Sequence, residues 1–581
     1  MEQWARSRVA FLIVAVLASG CYLNALGGEF VSDDHVDIEV NRLLLEPHRL
    51  PEVFTSPLRV ARGTIYRPIT ALTYWIDLRL FGPNPLGFHL ENLLWHTATA
   101  LVVLVLLRRL WPSEPLMALM GAALFAVHPV HTEAVAWVTG RSEILATFWG
   151  LLAFLAHRRA DIEESPISLW RIAALAAWLV ALGAKEMAAT VPLLLLMSDA
   201  LVGGPSGWWR PGRIAIRYGP YAALAVAYLV VRSSVLGNFA TLELYQAFHG
   251  APLSVRGPTM LKVAAAYVGR LLFPVNLNAE WIFPKAQGLT DGPLPLLALA
   301  LLAALVGLAW AVRRTAQPVA WGILWSGLAL LPVSNLVPIG EMGAERFLYF
   351  SSVGACSALA WVIIRGFQHF KEAVPRAHTT LPGALGCAVL ILFSANTIKR
   401  NRDWSDDLVL LEKTVRQSPR SVRVNRNLGK LLQRKGRYAE AEHFLKRGVE
   451  IMEGTLGPDH PKVATSLNNL AWHYTKRGQY AKAEPLLIRA LAIAEKTLGP
   501  DHTNVAVMLN NLASAYFKQG NYAKAEHLIK RALEIRERTL RPDDPYIAKT
   551  LEDLARIYAE TGRIDEAKGL LERARRIRAR Q

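Results

Sequence analysis

Runs of apolar residues close to the thickness of a bilayer core recur from the N-terminus to about Ile398, and there they stop. A hydrocarbon core about 30 Å thick takes about 20 helical residues. Inside it no backbone group finds water, so such runs fold as helices. Eleven of them lie near 9–27, 92–110, 116–134, 142–157, 167–184, 187–202, 214–235, 293–312, 318–337, 347–365 and 381–398. From Lys399 onward the chain is charged and alanine-rich. With 52% hydrophobic and 19% charged residues it is too apolar for a soluble protein and too charged for a pure bundle, which a divided chain explains. The expected fold class is all-α. A polytopic helical membrane bundle of about eleven spans fills 1–398, with 28–91 as its first external loop, 399–423 as a linker and a helical module over 424–581.

That module repeats. Gly436, Gly478, Gly520 and Gly562 are 42 residues apart; Ala441, Ala483, Ala525 and Ala567 follow each, and Leu428, Leu470, Leu512 and Leu554 precede them. A Gly that ends one helix and a small Ala that lets the next approach describe a helical hairpin. The pattern resembles the tetratricopeptide repeat, in the 42-residue form found in kinesin light chain, and implies about four stacked hairpins whose groove takes a protein segment. Gly457-Pro458-Asp459-His460 and Gly499-Pro500-Asp501-His502 read as turns between repeats, with His460 and His502 as turn residues and not metal ligands. Residues 399–581 hold 36 Lys and Arg against 23 Asp and Glu, most of the net charge of +18. These charges alternate along helices as a solvated face does, so no nucleic-acid partner is expected. Cys21, Cys356 and Cys387 all sit in apolar runs, with neither zinc spacing nor a disulfide framework. Ala18-Ser19-Gly20-Cys21 lacks the Leu of a lipoprotein cleavage box, and the first run reads as a retained helix.

Sidedness follows from the basic loops. Arg6/Arg8, Arg108/Arg109, Arg158/Arg159, Arg210/Arg213/Arg217, Arg313/Arg314 and Arg365/Lys371 fall on one face, the cytoplasmic one by the positive-inside rule. Eleven spans then put the C-terminal module on the other side. The 28–91 loop joins it there, along with His128, His131, Glu133, Arg141 and Glu143, then Lys185 and Glu186, then Glu341, Glu345 and Arg346. Ionisable groups near the bilayer are costly and tend to be functional; helix-end charges also snorkel, so the convergence matters more than any one cluster. Residues 67–81 are amphipathic and aromatic and are expected along the interface; 260–273 either does the same or crosses.

Adjacent Asp33 and Asp34 stand just beyond the first run. Such a pair is most often a turn or helix cap; at a water–membrane boundary it is also a general base or a metal holder. Phe30-Val31-Ser32-Asp33-Asp34, Tyr66-Arg67-Pro68-Ile69-Thr70, Phe88-His89-Leu90 with Asn92 and His96, and the stretch 128–141 (HPVHTEAVAWVTGR) come in order, followed by Lys185-Glu186, Ser198-Asp199 and Glu345-Arg346-Phe347-Leu348-Tyr349. Together these resemble the C-type glycosyltransferases that use lipid-linked sugars, and more closely the transmembrane and tetratricopeptide-repeat protein O-mannosyltransferases with their bacterial relatives. The resemblance implies transfer of a mannose-like sugar from a polyprenyl-phosphate donor to Ser or Thr hydroxyls of a protein acceptor held by the repeats. An acid of the first external loop, Asp33 or Asp34 with a slight preference for Asp34, would activate the hydroxyl. Arg67, Arg141, Lys185 and Arg346 would meet the leaving phosphate, with Glu186 and Glu345 beside them. His128, His131 and Glu133 have metal-ligand chemistry, His at i and i+3 sharing a helix face, but Pro129 interrupts that geometry and positioning or packing fits better; no cofactor or metal is expected. The implied location is a bacterial inner membrane with periplasmic repeats, or an endoplasmic reticulum with luminal ones. Two other readings stay open: a non-enzymatic membrane-anchored scaffold, and a transferase acting on a glycolipid or surface polymer.

Overall fold

A computed structural model describes residues 2–579 apart from 59–64, 162–167, 238–247, 249–250, 338 and 374–380. The side chains of Arg6 and Lys371, two of the basic residues used for sidedness, lie outside the described set. Among the described residues regular structure is helical throughout, and the chain divides into two units, Met1–Leu410 and Leu411–Gln581.

All eleven apolar runs contain helix, but eleven spans are not shown. Among the described residues six helices are long and apolar enough to cross a membrane: Arg8–Ala25, Pro85–Leu110, Glu186–Gly203, Pro211–Leu236, Pro293–Val312 and Glu345–Gly366. A seventh counts if the pair Pro115–Val127 and Pro129–Val135, bent by 44°, is one span. The bend falls at Pro129, which has no N–H to continue the ladder. Leu169–Ala184 has only 16 residues, about 24 Å of helix, and Gln317–Val333 is likewise short. Arg141–Ala160 has the length but carries Arg141, Glu143, Arg158 and Arg159. The parity step that placed the repeats rests on a count that is not shown.

The core of the first unit is built where these helices pair. Trp178, Trp321 and Trp325 are almost wholly buried, with Phe125, Phe154 and Tyr349. Residues 67–81, expected along the interface, form the helix Pro68–Phe81 with Pro at its first position, where a missing N–H costs nothing. Thr70 Oγ1 donates to the Ala184 carbonyl at 3.0 Å. A Cβ on Gly183 would lie 2.8 Å from Ile69, so the glycine lets that helix come close and sets Arg67 beside Lys185-Glu186. Residues 399–423, expected as a linker, are largely helical: Leu381–Asn401 runs on into Arg402–Trp404 and Asp407–Gln417.

The second unit holds four helical hairpins: Val422–Arg434 with Tyr438–Leu456, Pro461–Lys476 with Tyr480–Leu498, Thr503–Lys518 with Tyr522–Thr539, and Pro545–Glu560 with Ile564–Ala579. Ala441, Ala483 and Ala525 are fully buried where paired helices touch. Gly457 and Gly499 turn the chain between hairpins at φ +85° and +89°. After each turn His460 Nδ1 and His502 Nδ1 accept from the N–H groups of Lys462 and Asn504 at 3.2 and 3.0 Å, capping the next helix. Along the stacked helices Asn511 donates to Asn468 at 2.9 Å and Asn510 to Asp553 at 3.2 Å.

Candidate functional site

The loop after the first span is held in an uncommon conformation. Ser32 has φ +57°, a left-handed setting that costs a non-glycine residue energy and clusters at functional sites. Its N–H donates to Asp407 Oδ1 at 2.7 Å. Residues His35–Glu39 then form a π-turn, another feature frequent at such sites.

The two aspartates differ. Asp34 is fully buried; its Oδ2 accepts from Val31 N at 3.0 Å and its Oδ1 from Thr139 N at 2.9 Å. Burial pushes its carboxyl up to about 7, against the pull of those two N–H groups. Asp34 thus staples the loop to the Val138–Gly140 turn, with both oxygens committed. Asp33 is half-buried.

The stretch 128–141 forms the wall behind this loop. Asn92 Nδ2 donates to the carbonyls of Val135, Trp137 and Val138 at 3.1–3.3 Å. Trp137 donates through Nε1 to the Val31 carbonyl at 3.1 Å and stacks on Trp404 at 5.6 Å. Arg346 also lies against Trp137, its guanidinium 5.3 Å from the indole. Arg346 pairs with Glu133 and Glu341, and its backbone N–H donates to Glu133 Oε2 at 3.0 Å.

Beyond Arg346 the cations gather. Lys185 is buried in an ion pair with Glu143, 5.4 Å from the Phe347 ring. Burial pulls its ammonium down to about 8, with Glu143 opposing and the nearby Arg67 and Arg346 adding to the fall. Arg67 reaches Glu186 at 3.1 Å, and Arg232 reaches the same carboxylate at 3.4 Å. Glu186 and Arg67 keep side-chain exposures of 34% and 21%, so this pair forms the open mouth of the cluster.

Arg141, expected to meet a phosphate, does not face that mouth. Its guanidinium is fully buried, pairs with Asp77 at 2.6 Å and Glu91 at 2.8 Å, and donates to Asn92 Oδ1 at 2.7 Å and the Phe88 carbonyl at 2.9 Å. Burial raises the Asp77 carboxyl above its ordinary range, with the Arg141 guanidinium opposing the rise. Arg141 is a clamp joining the helices Pro68–Phe81, Pro85–Leu110 and Arg141–Ala160. Glu345 is likewise committed, to Arg400 at 3.1 Å and to the Asn278 N–H. His128 is buried with Nε2 on the Leu271 carbonyl at 3.1 Å and Nδ1 accepting from Val130 N; His131 Nε2 meets Ser352 Oγ at 2.7 Å, and its ring packs on Phe125 and Tyr349. The two imidazoles face different partners and Glu133 serves Arg346, so the three do not converge as a ligand set. Sequence reasoning passed over Arg232 and Asp77, and it named Asn92 without giving it a role. Arg232 ends an apolar run as any snorkelling cation does, and Asp77 carries meaning only through Arg141, 64 residues away.

Sequence comparison finds relatives of this chain among named proteins. Protein O-mannosyl-transferase Tmtc3 of Drosophila melanogaster is 27% identical over 545 residues, covering 80% of this chain and 57% of its own length. Protein O-mannosyl-transferase TMTC4 of Homo sapiens is 28% identical over 494 residues, covering 75% and 65%. The chain is a homologue of the protein O-mannosyl-transferases. It spans between half and two thirds of the length of these curated relatives. The tetratricopeptide repeat family matches residues 420–496, 473–532 and 504–580. Among solved structures, a putative kinesin light chain of Podosopora anserina with nearly identical TPR-like repeats is 31% identical, covering 30% of this chain and 86% of that one at a TM-score of 0.26. The chain thus combines helices long and apolar enough to cross a membrane with tetratricopeptide repeats, and its named relatives are protein O-mannosyl-transferases.

Proposed function

We propose that the membrane unit transfers a mannose-like sugar from a polyprenyl-phosphate donor to a Ser or Thr hydroxyl of a protein, with Asp33 as general base. The observation that carries this reading is the difference in burial within the aspartate pair on the left-handed Ser32 turn: Asp34 is fully buried, while Asp33 beside it is half-buried and keeps surface that an acceptor can reach. The acceptor hydroxyl gives its proton to the Asp33 carboxylate as its oxygen bonds to the anomeric carbon. The bond from that carbon to the phosphate oxygen breaks, and the lipid phosphate departs with the electron pair. Arg67 and Arg232 meet the growing charge by exchanging Glu186 for phosphate, and Lys185 and Arg346 add positive potential behind them. Such preorganised cations favour the charge that develops in the transition state over that of the ground state. The sugar would sit at the non-cytoplasmic interface, and the repeats would bind the acceptor protein. No residue of this scheme requires a metal.

Transfer from polyprenyl-phosphate mannose to a Ser/Thr peptide, measured in membranes, tests the assignment. Asp33→Asn is expected to lose 10²- to 10⁴-fold in rate, the usual share of a general base, with an unchanged melting temperature. Full activity in Asp33→Asn would overturn it.

A further inference from the structure

At the opposite end of the same helices lies a second polar site that the transfer reaction does not use. From Asn92 to Arg109 along Pro85–Leu110, and from Arg141 to Arg159 along Arg141–Ala160, the rise is about 26 Å, close to a bilayer core. Between these far ends is a cavity of about 1160 Å³, open to the outside and lined by Arg109, Arg158, Arg159, Trp149, Leu155 and Trp170 among others.

Among the described residues its charges do not cancel. Arg158 pairs with Asp199 at 2.8 Å and donates to the Gly203 carbonyl at 2.8 Å; Arg217 pairs with both Asp161 and Asp199. Tyr218 adds a hydrogen bond to Asp199 at 2.6 Å, and His157 binds Tyr221 at 3.1 Å. Two arginines and two aspartates make this buried network neutral. His157, Asp161 and Asp199 stand close enough to hold a cation, but the Arg217 guanidinium already occupies the space between the carboxylates. Arg109 and Arg159 are left over: both are exposed on the cavity wall, and neither pairs with any described residue. Arg108, beside them in sequence, turns away to the Phe11 ring at 5.6 Å.

We infer that this cavity holds the phosphate headgroup of a membrane lipid, with Arg109 and Arg159 on the phosphate and its chains along Trp149 and Leu155. A lining of both cationic and apolar side chains suits an amphiphile better than free phosphate. The interfacial depth puts the phosphate where lipid headgroups lie, and arginine offers a planar fork to phosphate oxygens. Two lipid classes carry that group, a phosphodiester phospholipid and a polyprenyl monophosphate.

Lipid retention by the purified full-length chain, read by native mass spectrometry, decides. The probes are phosphatidylglycerol, a polyprenyl monophosphate and diacylglycerol, which has no phosphate. The double variant Arg109→Gln/Arg159→Gln is expected to bind at least one of the two phosphate lipids about thirtyfold more weakly, from roughly fivefold per arginine. Arg108→Gln should stay within twofold, and Arg109→Lys/Arg159→Lys should keep most of the binding. Loss for one phosphate lipid alone names the occupant. The inference is overturned if the double variant binds both phosphate lipids as the wild type does, if Arg108→Gln loses as much, or if diacylglycerol binds equally well.

Discussion

Replacing Arg141 with Met separates two roles that look alike in sequence. As a phosphate-gripping residue, Arg141 would affect donor affinity and leave the fold alone. The structure instead gives it two carboxylates, an amide oxygen and a backbone carbonyl, in full burial. Methionine fills much the same volume but strands Asp77 and Glu91. Removing one partner of a buried ionic group costs about 3–5 kcal/mol. For a unit of about 410 residues, an unfolding entropy near 2.1 cal/mol/K per residue makes about 0.9 kcal/mol/K. The melting temperature should therefore fall by roughly 5 °C, read by thermal-shift fluorescence of purified protein in detergent. Adding Asp77→Asn and Glu91→Gln to Arg141→Met should recover more than half of that loss, because the stranded carboxylates disappear with the guanidinium. A melting temperature within 1 °C of wild type, together with lost donor binding, would refute the clamp.

Other outcomes follow from the same contacts. Asp34 has a folded-state pKa of about 7, above its ordinary value; its contribution to stability is complete below about pH 4 and is lost as pH rises through 7. Melting curves between pH 4 and 8 should show that decline, and Asp34→Asn should flatten it. Arg67→Gln should raise the donor KM and lower kcat, since Arg67 holds the mouth of the cationic cluster; Michaelis kinetics with polyprenyl-phosphate mannose would show both. Gly499→Ala forces a side chain onto φ +89° and ψ 155°, a region essentially reserved for glycine, at about 1–3 kcal/mol. Hydrogen exchange over 480–518 should quicken tenfold or more.

The helices and the repeats were readable because their signals are periodic and local. A 42-residue spacing survives any tertiary arrangement. The span count was less readable: hydropathy marks where apolar residues are, but the bend at Pro129 and the 16 residues of Leu169–Ala184 decide what reaches across. The site was readable as a set of loops and not as a set of roles. Arg67, Arg141, Lys185 and Arg346 all stand near helix ends, and nothing local distinguishes a cation spent on Asp77 and Glu91 from one left at an open mouth. The aspartate pair was visible, but the commitment of Asp34 depends on Thr139, 105 residues on. The left-handed Ser32 has no sequence signature.

The salt bridges between hairpins copy themselves at the repeat distance. Lys496–Asp459 becomes Arg538–Asp501, and Arg489–Glu453 becomes Arg531–Glu495 and then Arg573–Glu537. Each hairpin presents to the next the same socket that it fills in the one before. Excising 457–498 would bring Leu456 onto Gly499 with Glu453 facing Arg531, and no new kind of contact would have to be invented. The array is a ruler marked in identical units, so its reach toward a partner can be lengthened or shortened by whole divisions while the membrane unit stays as it is.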